Sequence, residues 1–339
     1  MNKFLSLSDS QRKTVFEQTA THKKLPVEAI EKDFWVTETL NLLFTLPYAD
    51  KMVFKGGTSL SKVWGVIHRF SEDIDIAVDR SLFGVEGDLT KKRLKQLRKD
   101  SSVFVRDILA RDLSEAVIQN GMDGFLSIAP EPDGEGDATY PEPRKIHIVY
   151  KSVLPSESGS YLRDEVLLEV GARSLIEPTS VATASSFVDE IFPHLTSRDM
   201  CVEINTAVAE KTFLEKAFLL YELFTTDGCR NANRKSRHMY DLYRMSQSDI
   251  ADKAIVDNEL WESIRHHREV FTSIRGVDYT PDARNKICLI PPLDVVAQWE
   301  EDYNLMVANM IYEDEVPSFQ DLLKILAIIE NRFKHPFYR

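Results

Sequence analysis

The stretch from residue 51 to residue 78 constrains the fold most, because short strand-like runs alternate in it with a glycine turn and a helical segment. The opening run, KMVFK, has the apolar character of a strand and ends at Gly56 and Gly57, where a turn is expected. The residues TSLSKVW that follow are typical of the first turns of a helix, with Thr58 or Ser59 near its N-cap. A strand, a tight turn and a helix are therefore predicted in direct succession.

The end of this stretch, EDIDIAV, alternates acidic and apolar side chains at the period of a β-strand. One face would carry Asp73 and Asp75, and the other face Ile74 and Ile76. Because residues i and i+2 of a strand point to the same side, the two carboxylates can bind a hard cation such as Mg²⁺ together. Two acids alone would more simply form a solvated strand face, and the glycine turn upstream is what favours metal binding.

The glycine turn has a chemical reason of its own. Without a Cβ, Gly56 and Gly57 let backbone N–H groups approach a phosphate, and the start of the following helix favours an anion. The hydroxyls of Thr58 and Ser59 would add hydrogen-bond donors. With Lys62, these residues make up the predicted nucleotide-binding set.

The sequence FKGGTSLSKVW…RFSEDIDIAV resembles the AbiEii family of bacterial nucleotidyltransferase toxins, within the polymerase-β-like superfamily. Members carry G-[GS], a variable spacer and D-x-[DE], which correspond here to Gly56-Gly57, fifteen residues and Asp73-Ile74-Asp75. The resemblance implies an α/β fold, with a polymerase-β-like palm of a small mixed sheet and helices, followed by a C-terminal helical lobe. It also implies a nucleoside triphosphate as substrate and two Mg²⁺ ions, which such sites hold about 3.5–4 Å apart.

An upstream segment, EKDFWVTETL, is similar to one that these proteins carry on a helix before the first strand. Its charged residues Glu31, Lys32 and Asp33 are interpreted as the polar, solvent-facing side of that helix.

The segment DEVLLEVG offers Glu169 within an apolar run, and the sequence LEVGAR resembles the third-strand segment of the family's palm, which implies Glu169 as a third metal ligand or general base. An acid among apolar neighbours is costly to bury without a cation, which supports the metal-ligand role. The alternative is a sheet edge at which Glu169 faces water.

The helical part of the chain contributes two further candidates through the resemblance. In EKTFLEKAFLLYELF and RKSRHMYDLYRM, the residues that match the family's active-site lysine and aspartate are Lys216 and Asp241. Lys216 would hold the phosphates of the nucleotide while charge builds up at the α-phosphate. Asp241 would orient Lys216 or a neighbouring basic residue. Otherwise Lys216 would be a surface partner at i,i+4 spacing, and Lys211 is its rival for the same role.

Strands cluster before residue 170 and helices dominate from residue 208 onward. This shift predicts a nucleotidyltransferase domain with N-terminal helices at 1–200 and a helical domain at 201–339. Strands are predicted at 51–55, 72–78, 125–128, 145–150 and 164–170, and helices at 9–21, 26–46, 89–120, 208–226, 232–247, 252–273, 293–312 and 318–333.

The formal net charge of −12 argues against a protein that coats nucleic acid by general electrostatics. A local basic run could still contact an RNA backbone, and it comprises Arg230, Arg234, Lys235, Arg237 and His238.

The cysteines Cys201, Cys229 and Cys288 form no C-x-x-C pair and are expected to be reduced thiols. Neither a secretory signal nor an apolar run long enough to cross a bilayer is visible, so the cytoplasm is the expected location, with no membrane partner.

The resemblance to the AbiEii family implies a Mg²⁺-dependent nucleotidyltransferase toxin of a bacterial toxin–antitoxin or phage-defence pair. It would transfer a nucleoside monophosphate from a nucleoside triphosphate to RNA, with tRNA 3′ ends as the leading acceptor, and its partner would be a cognate antitoxin protein. The preferred nucleotide, the acceptor, the oligomeric state and the way in which the antitoxin silences the enzyme stay open. Transfer to a small molecule or a protein side chain is one alternative. A non-catalytic interaction protein is another, against which the intact Gly-Gly and D-x-D motifs count.

Overall fold

The computed structural model describes residues 3–87, 89–154, 163–196, 202–313 and 315–336. Two compact units divide the chain. The first, the sheet unit, comprises Met1–Val63 and Ser71–Ala207, and the second, the helical unit, comprises Trp64–Phe70 and Val208–Arg339. The chain therefore passes through the helical unit between the glycine pair and the acidic pair of the motif.

The sheet unit is built on a mixed sheet, which has seven strands within the described residues, in the order β3-β4-β5-β2-β1-β7-β6. The strands are β1 (Met52–Lys55), β2 (Asp73–Val78), β3 (Leu126–Pro130), β4 (Arg144–Tyr150), β5 (Glu165–Gly171), β6 (Thr179–Ala182) and β7 (Ile204–Ala207). Strand β2 pairs antiparallel with β1 and parallel with β5. The predicted α/β class and its mixed sheet are confirmed, and β6 and β7 add two short strands that the sequence did not predict.

Helices accompany this sheet in the same unit. They are α1 (Asp9–Lys23), α2 (Val27–Leu43), α3 (Gly56–Lys62), α4 (Lys91–Val103), α5 (Ala110–Gln119), α6 (Phe187–Ile191) and α7 (Pro193–Thr196). The side chain of Ser8 caps α1 in a capping box with Gln11. The single helix predicted at 89–120 is interrupted by a π-helical turn at Phe104–Leu109, which separates α4 from α5.

The charged residues at the start of α2 correct one expectation from the sequence. Glu31, Lys32 and Asp33 are only 2%, 3% and 4% exposed, so they do not form a solvent-facing side. The cause is the depth of α2 in the unit, since every residue from Ala29 to Leu43 is buried. The polar pattern of the segment therefore marks internal partners and not a solvated face.

The helical unit consists of α8 (Ala209–Thr225), α9 (Ser236–Ser246), α10 (Ile250–Val256), α11 (Asn258–Phe271), α12 (Ala283–Lys286), α13 (Val296–Met310) and α14 (Phe319–Lys334). Its core is rich in aromatic contacts, such as Phe218 against Trp261 with ring centroids 4.6 Å apart. The predicted helix 252–273 is divided, because the carboxylate of Asp257 accepts a hydrogen bond from Leu260 N at 2.9 Å and begins α11.

Two further observations concern the cysteines and the apolar character of the helices. Cys229 and Cys288 are free thiols, and Cys201 lies outside the described residues. In the part of the chain that the structure describes, no helix combines the length and the apolar character needed to cross a bilayer.

Candidate active site

A row of four charged residues crosses the centre of the sheet. Asp75 on β2 is opposite Lys55 on β1 and beside Glu169 on β5, and Glu169 is in turn opposite Lys145 on β4. Residues in register on neighbouring strands project to the same face. The two acids, which are 94 positions apart in the sequence by their numbers, are thus neighbours between two lysines.

The D-x-D strand has the two faces that its sequence predicts. Asp73 and Asp75 are half-buried, whereas Ile74 and Ile76 are fully buried in the core. The two carboxylates therefore share the more open face of β2, and this face is the one on which Glu169 lies beside Asp75.

Gly56 is the point at which the glycine pair meets the acidic pair. Its φ is +80°, and a Cβ built on it would lie 2.1 Å from Asp75 Oδ2. Any other L-residue would therefore be strained in its backbone and would collide with the carboxylate. A glycine is therefore required at this position for two reasons, the positive φ of the turn and the closeness of the Asp75 carboxylate.

The hydroxyls of Thr58 and Ser59 are used inside the protein. Thr58 Oγ1 donates to the carbonyl oxygen of Asp73 and lies 3.0 Å from Ser71 Oγ, while Ser59 Oγ donates to Gly56 O at 2.9 Å. Both side chains are buried. They tie the first turn of α3 to the start of β2, and this contact joins the two halves of the motif.

Lys62 ends α3 and is also held internally. Its ammonium forms a buried ion pair with Asp33 and donates to Ser185 O at 2.9 Å. The ammonium also lies 5.0 Å from the centroid of the Phe187 ring. In this structure, Lys62 is thus engaged with α2 and with the segment before α6.

Glu169 is half-buried on β5, an interior strand of the sheet, so the alternative of a sheet edge is wrong. Its Oε1 lies 3.2 Å from Lys145 Nζ. An acid among apolar neighbours needs a cation beside it, and in the structure that cation is Lys145. Lys145 was not among the residues that the sequence singled out.

Among the residues that the structure describes, no group of three or more His, Cys, Asp or Glu side chains is placed to hold a metal ion. The predicted ligands Asp73, Asp75 and Glu169 are therefore not assembled as a closed cage, and Glu169 is held by Lys145. Mg²⁺ is usually bound through one or two carboxylates together with water and substrate phosphates. Asp73 and Asp75 on one strand face fit such a magnesium–nucleotide complex.

The helical unit contains a buried charged cluster of its own. Asp241 on α9 accepts hydrogen bonds from Arg69 Nε at 2.7 Å and Nη2 at 2.8 Å, and its Oδ2 lies 2.8 Å from Lys216 Nζ on α8. Lys216 is buried, so its alternative role as a surface partner is wrong. Two cations share one carboxylate, which leaves one net positive charge in this trio.

The electrostatics of the cluster follow from burial and proximity. Burial lowers the pKa of Lys216. The negative charge of Asp241 raises this pKa, and the positive charge of Arg69 lowers it further. Burial alone would raise the pKa of Asp241, but the adjacent cations hold it below its usual range. His238 lies 3.5 Å from Lys216 through Nδ1, and burial together with Lys216 and Arg237 lowers its pKa well below the ordinary value. A neutral His238 can therefore accept a hydrogen bond from Lys216.

Arg69 belongs to this cluster, although its sequence pattern does not predict it. It lies in the spacer between the two halves of the motif, where it forms a β-bridge with Ile311. Its neighbour Phe70 donates a backbone hydrogen bond to Met310 O at 2.7 Å. A basic residue in a spacer carries no periodic signal, so only the fold identifies its partner.

The residues of the basic run at 230–238 differ in their exposure to solvent. Arg230 and Arg234 are exposed, whereas Arg237 and His238 are half-buried beside Lys216. Arg230 Nη2 lies 3.5 Å from Asp294, which offsets part of its charge.

The comparison with protein families agrees with the resemblance found in the motifs. The profile of the family described as "Nucleotidyl transferase AbiEii toxin, Type IV TA system" matches residues 41–325. Among solved structures, the chain is similar to the nucleotidyltransferase toxin MenT4 of Mycobacterium tuberculosis H37Rv, with 15% identity, a TM-score of 0.48 and coverage of 95% of this chain and 98% of that one. A search of curated proteins gave no match. Because the family profile spans most of its length, this chain belongs to the AbiEii family of nucleotidyltransferase toxins of type IV toxin–antitoxin systems.

Proposed function

We propose that this toxin transfers a nucleoside monophosphate from a nucleoside triphosphate to the 3′ end of an RNA, with tRNA as the leading acceptor, in a reaction that depends on Mg²⁺. The observation that carries the proposal is the contact between the glycine turn and the acidic pair, in which Gly56 leaves room for the carboxylate of Asp75. A magnesium–nucleotide complex requires a turn that a phosphate can approach, close to two acids that can bind the metal.

In this proposal, Asp73 and Asp75 bind the magnesium–triphosphate complex and fix its position. Bound Mg²⁺ neutralises charge on the phosphates and lowers the pKa of a coordinated hydroxyl. The first backbone N–H groups of α3, from Gly56 and Gly57, face the phosphates because a helix leaves its first donors without intrahelical acceptors. Thr58 supports this turn through its bond to the Asp73 carbonyl.

For Ser59 and Lys62 we propose a supporting part in nucleotide binding, since both are already hydrogen-bonded within the sheet unit. They hold the shape of α3, which begins at the glycine pair. In place of the direct contact predicted from the sequence, Ser59 and Lys62 would act on the nucleotide indirectly, by fixing the backbone of α3.

Glu169 is proposed to take the proton of the acceptor hydroxyl or to complete the metal site on the acceptor side. Its position beside Asp75 supports both roles, since neighbouring strands place the two carboxylates on one face. Lys145 restrains Glu169 until substrate arrives, because the lysine ammonium and a metal ion would compete for the same carboxylate.

In the helical unit, Lys216 is proposed to bind phosphate as a compact cation, with Asp241 fixing its direction. The net positive charge of the trio formed with Arg69 supports an anionic ligand. A buried cation that is already oriented loses little freedom when it binds, which favours stabilisation of developing charge.

The proposed acceptor class, RNA, is supported by a local run of basic residues. An acidic protein needs a local basic surface to bind RNA, and we assign this part to Arg234, which is exposed, and to Lys235 and Arg237, which are half-buried. A small-molecule acceptor would not need these charges. The cognate antitoxin remains the proposed protein partner, as the family description implies a two-component system.

The decisive experiment on the acceptor uses each α-labelled nucleoside triphosphate with Mg²⁺ and total bacterial RNA. Label in the tRNA fraction supports the proposal, and label in the protein fraction replaces it with protein modification. Reversal of Arg234, Lys235 and Arg237 to Glu should abolish labelling of RNA. Full activity in that variant would favour a small-molecule acceptor.

A further inference from the structure

Helix α2 carries three consecutive charged residues into the interior of the sheet unit. Glu31, Lys32 and Asp33 are each less than 5% exposed. Burying a charge is costly unless it is paired and hydrogen-bonded, so each of the three residues needs a partner that offsets the cost of its burial. Glu31 accepts hydrogen bonds from Ser152 Oγ at 2.6 Å and from Val153 N at 3.0 Å, both outside the nucleotidyltransferase motif. The other two residues reach the nucleotidyltransferase motif.

Lys32 is paired with the residue that precedes the first acid of the motif. Its Nζ lies 2.5 Å from Glu72 Oε2 and donates to Arg163 O at 3.3 Å. The side chains of Lys32 and Glu72 are 4% and 11% exposed. Because Asp73 follows Glu72 directly, this ion pair fixes the backbone at the start of β2.

Asp33 is paired with the other half of the motif. One of its oxygens forms the buried ion pair with Lys62, and the other accepts a hydrogen bond from Phe187 N at 2.8 Å. Lys62 is the last residue of α3, the helix that begins at Gly56. Adjacent residues of α2 therefore hold the end of the glycine helix and the start of the acidic strand.

Stability alone does not explain two buried ion pairs at this place. The desolvation of two charges often exceeds the gain from pairing them, and apolar residues of similar volume serve a core equally well. What an ion pair adds is a fixed geometry between its two partners. Here the partners flank Gly56, Thr58, Asp73 and Asp75, which already contact one another.

We infer that Lys32 and Asp33 are positioning residues that hold the glycine turn and the acidic pair at the separation a magnesium–nucleotide complex requires. The inference rests on the proposed function. Lys32 and Asp33 precede residues 41–325, which the family profile matches, whereas their partners Lys62 and Glu72 lie within that range. Neither residue touches the nucleotide. Lys32 acts through Glu72, and Asp33 acts through Lys62.

The test for Lys32 compares Lys32→Met, Glu72→Gln and the double variant with the parent protein. Mg²⁺ affinity is measured by calorimetry in the presence of each α,β-methylene nucleoside triphosphate, and unfolding is measured in urea. Loss of supporting partners around a metal site typically weakens metal affinity about 10–100-fold, and we expect a loss in this range for both single variants. The double variant, which leaves no unpaired charge, should recover stability without recovering Mg²⁺ affinity.

A surface pair provides the matched control. Lys13 and Glu17 lie 3.7 Å apart on α1 with exposed side chains, so Lys13→Met should leave both Mg²⁺ affinity and stability unchanged. If Lys32→Met does not fold, Glu72→Gln decides, because it is isosteric. Mg²⁺ affinity within about twofold of the parent in both Glu72→Gln and the double variant would overturn the inference, since supporting partners normally contribute more.

Asp33→Asn tests the second arm, because asparagine can still accept the hydrogen bond from Phe187 N while losing the charge that pairs with Lys62. We expect a loss of Mg²⁺–nucleotide affinity similar to that of Glu72→Gln, and an unchanged affinity would remove Asp33 from the proposal. Asp75→Asn in the same calorimetric assay distinguishes a failure of the proposed function from a failure of the positioning role. If Asp75→Asn binds as the parent does, the proposed function fails. If Asp75→Asn loses binding while Glu72→Gln and Asp33→Asn keep it, only the positioning role fails.

Discussion

Gly56 lies so close to Asp75 that the Cβ of any other L-residue would be 2.1 Å from the carboxylate oxygen Oδ2. We expect Gly56→Ala to displace Asp75 and to lower the rate of nucleotide transfer at least about 100-fold, because small misplacements of binding groups carry costs of that size. The measurement is the rate of label transfer from an α-labelled triphosphate.

Gly65→Ala is the matched control for this substitution. Gly65 also has a positive φ, +62°, but a Cβ there would meet nothing within 4 Å. The control thus has the backbone cost of about 1–2 kcal/mol without the collision. Equal loss of activity in both variants would attribute the effect to backbone strain and not to Asp75.

Asp241 is expected to be essential for the stability of the helical unit. Asp241→Asn leaves Arg69 and Lys216 buried without their counter-charge, and breaking a buried pair in this way costs about 3–5 kcal/mol. Urea unfolding measures the loss. Asp249, which pairs with Lys253 on the surface, is the control, and Asp249→Asn should cost less than about 1 kcal/mol. Similar stability in the two variants would contradict the account of the cluster.

Lys216 is expected to affect transfer more than stability. Lys216→Met leaves the bidentate contact between Arg69 and Asp241 in place, and loss of one oriented charge at a reacting group typically lowers kcat about 10²–10³-fold. Lys211 is the matched control, being a buried lysine on the same helix, 3.6 Å from Glu215. If Lys211→Met loses transfer while Lys216→Met retains it, the phosphate-binding role belongs to Lys211.

Glu142 is expected to make the free energy of unfolding depend on pH. Burial raises the pKa of its carboxyl to about 7 from an ordinary 4.5, against the opposing hydrogen bond from Ala172 N at 2.6 Å. Between these two values the folded protein binds a proton that the unfolded chain has lost. Stability therefore falls as pH rises through this window, by up to about 3 kcal/mol.

Glu142→Gln tests this expectation, because it stays neutral and keeps an acceptor for Ala172 N. Urea unfolding at about pH 5 and pH 8 should show a smaller decrease for the variant than for the parent. Identical decreases in the two proteins would mean that Glu142 titrates normally.

Much of the site was predictable because it depends on local pattern. The alternation in EDIDIAV predicted which side of β2 holds Asp73 and Asp75, and the glycine pair predicted where β1 ends. A strand period and a turn signal operate within a few residues, so no long-range information is needed.

The contacts between distant segments were not predictable. The register that sets Lys145 opposite Glu169 depends on how strands pair across the sheet. The pairing of Arg69 with Asp241 depends on where the spacer between the motif halves packs. A charged triplet on a helix is usually solvated, so the sequence predicts Lys32 at the surface, whereas its buried partner Glu72 is forty positions away.

The central claim is that the acidic pair binds the metal–nucleotide complex that reacts. The most direct measurement is transfer of label from each α-labelled nucleoside triphosphate to total bacterial RNA over a Mg²⁺ titration, with the parent and with Asp73→Asn/Asp75→Asn. Asparagine keeps the shape of each side chain, and a circular dichroism spectrum confirms folding. The account predicts Mg²⁺-dependent labelling by the parent and none by the double variant at any Mg²⁺ concentration. Labelling of RNA by a folded double variant at the rate of the parent would contradict it.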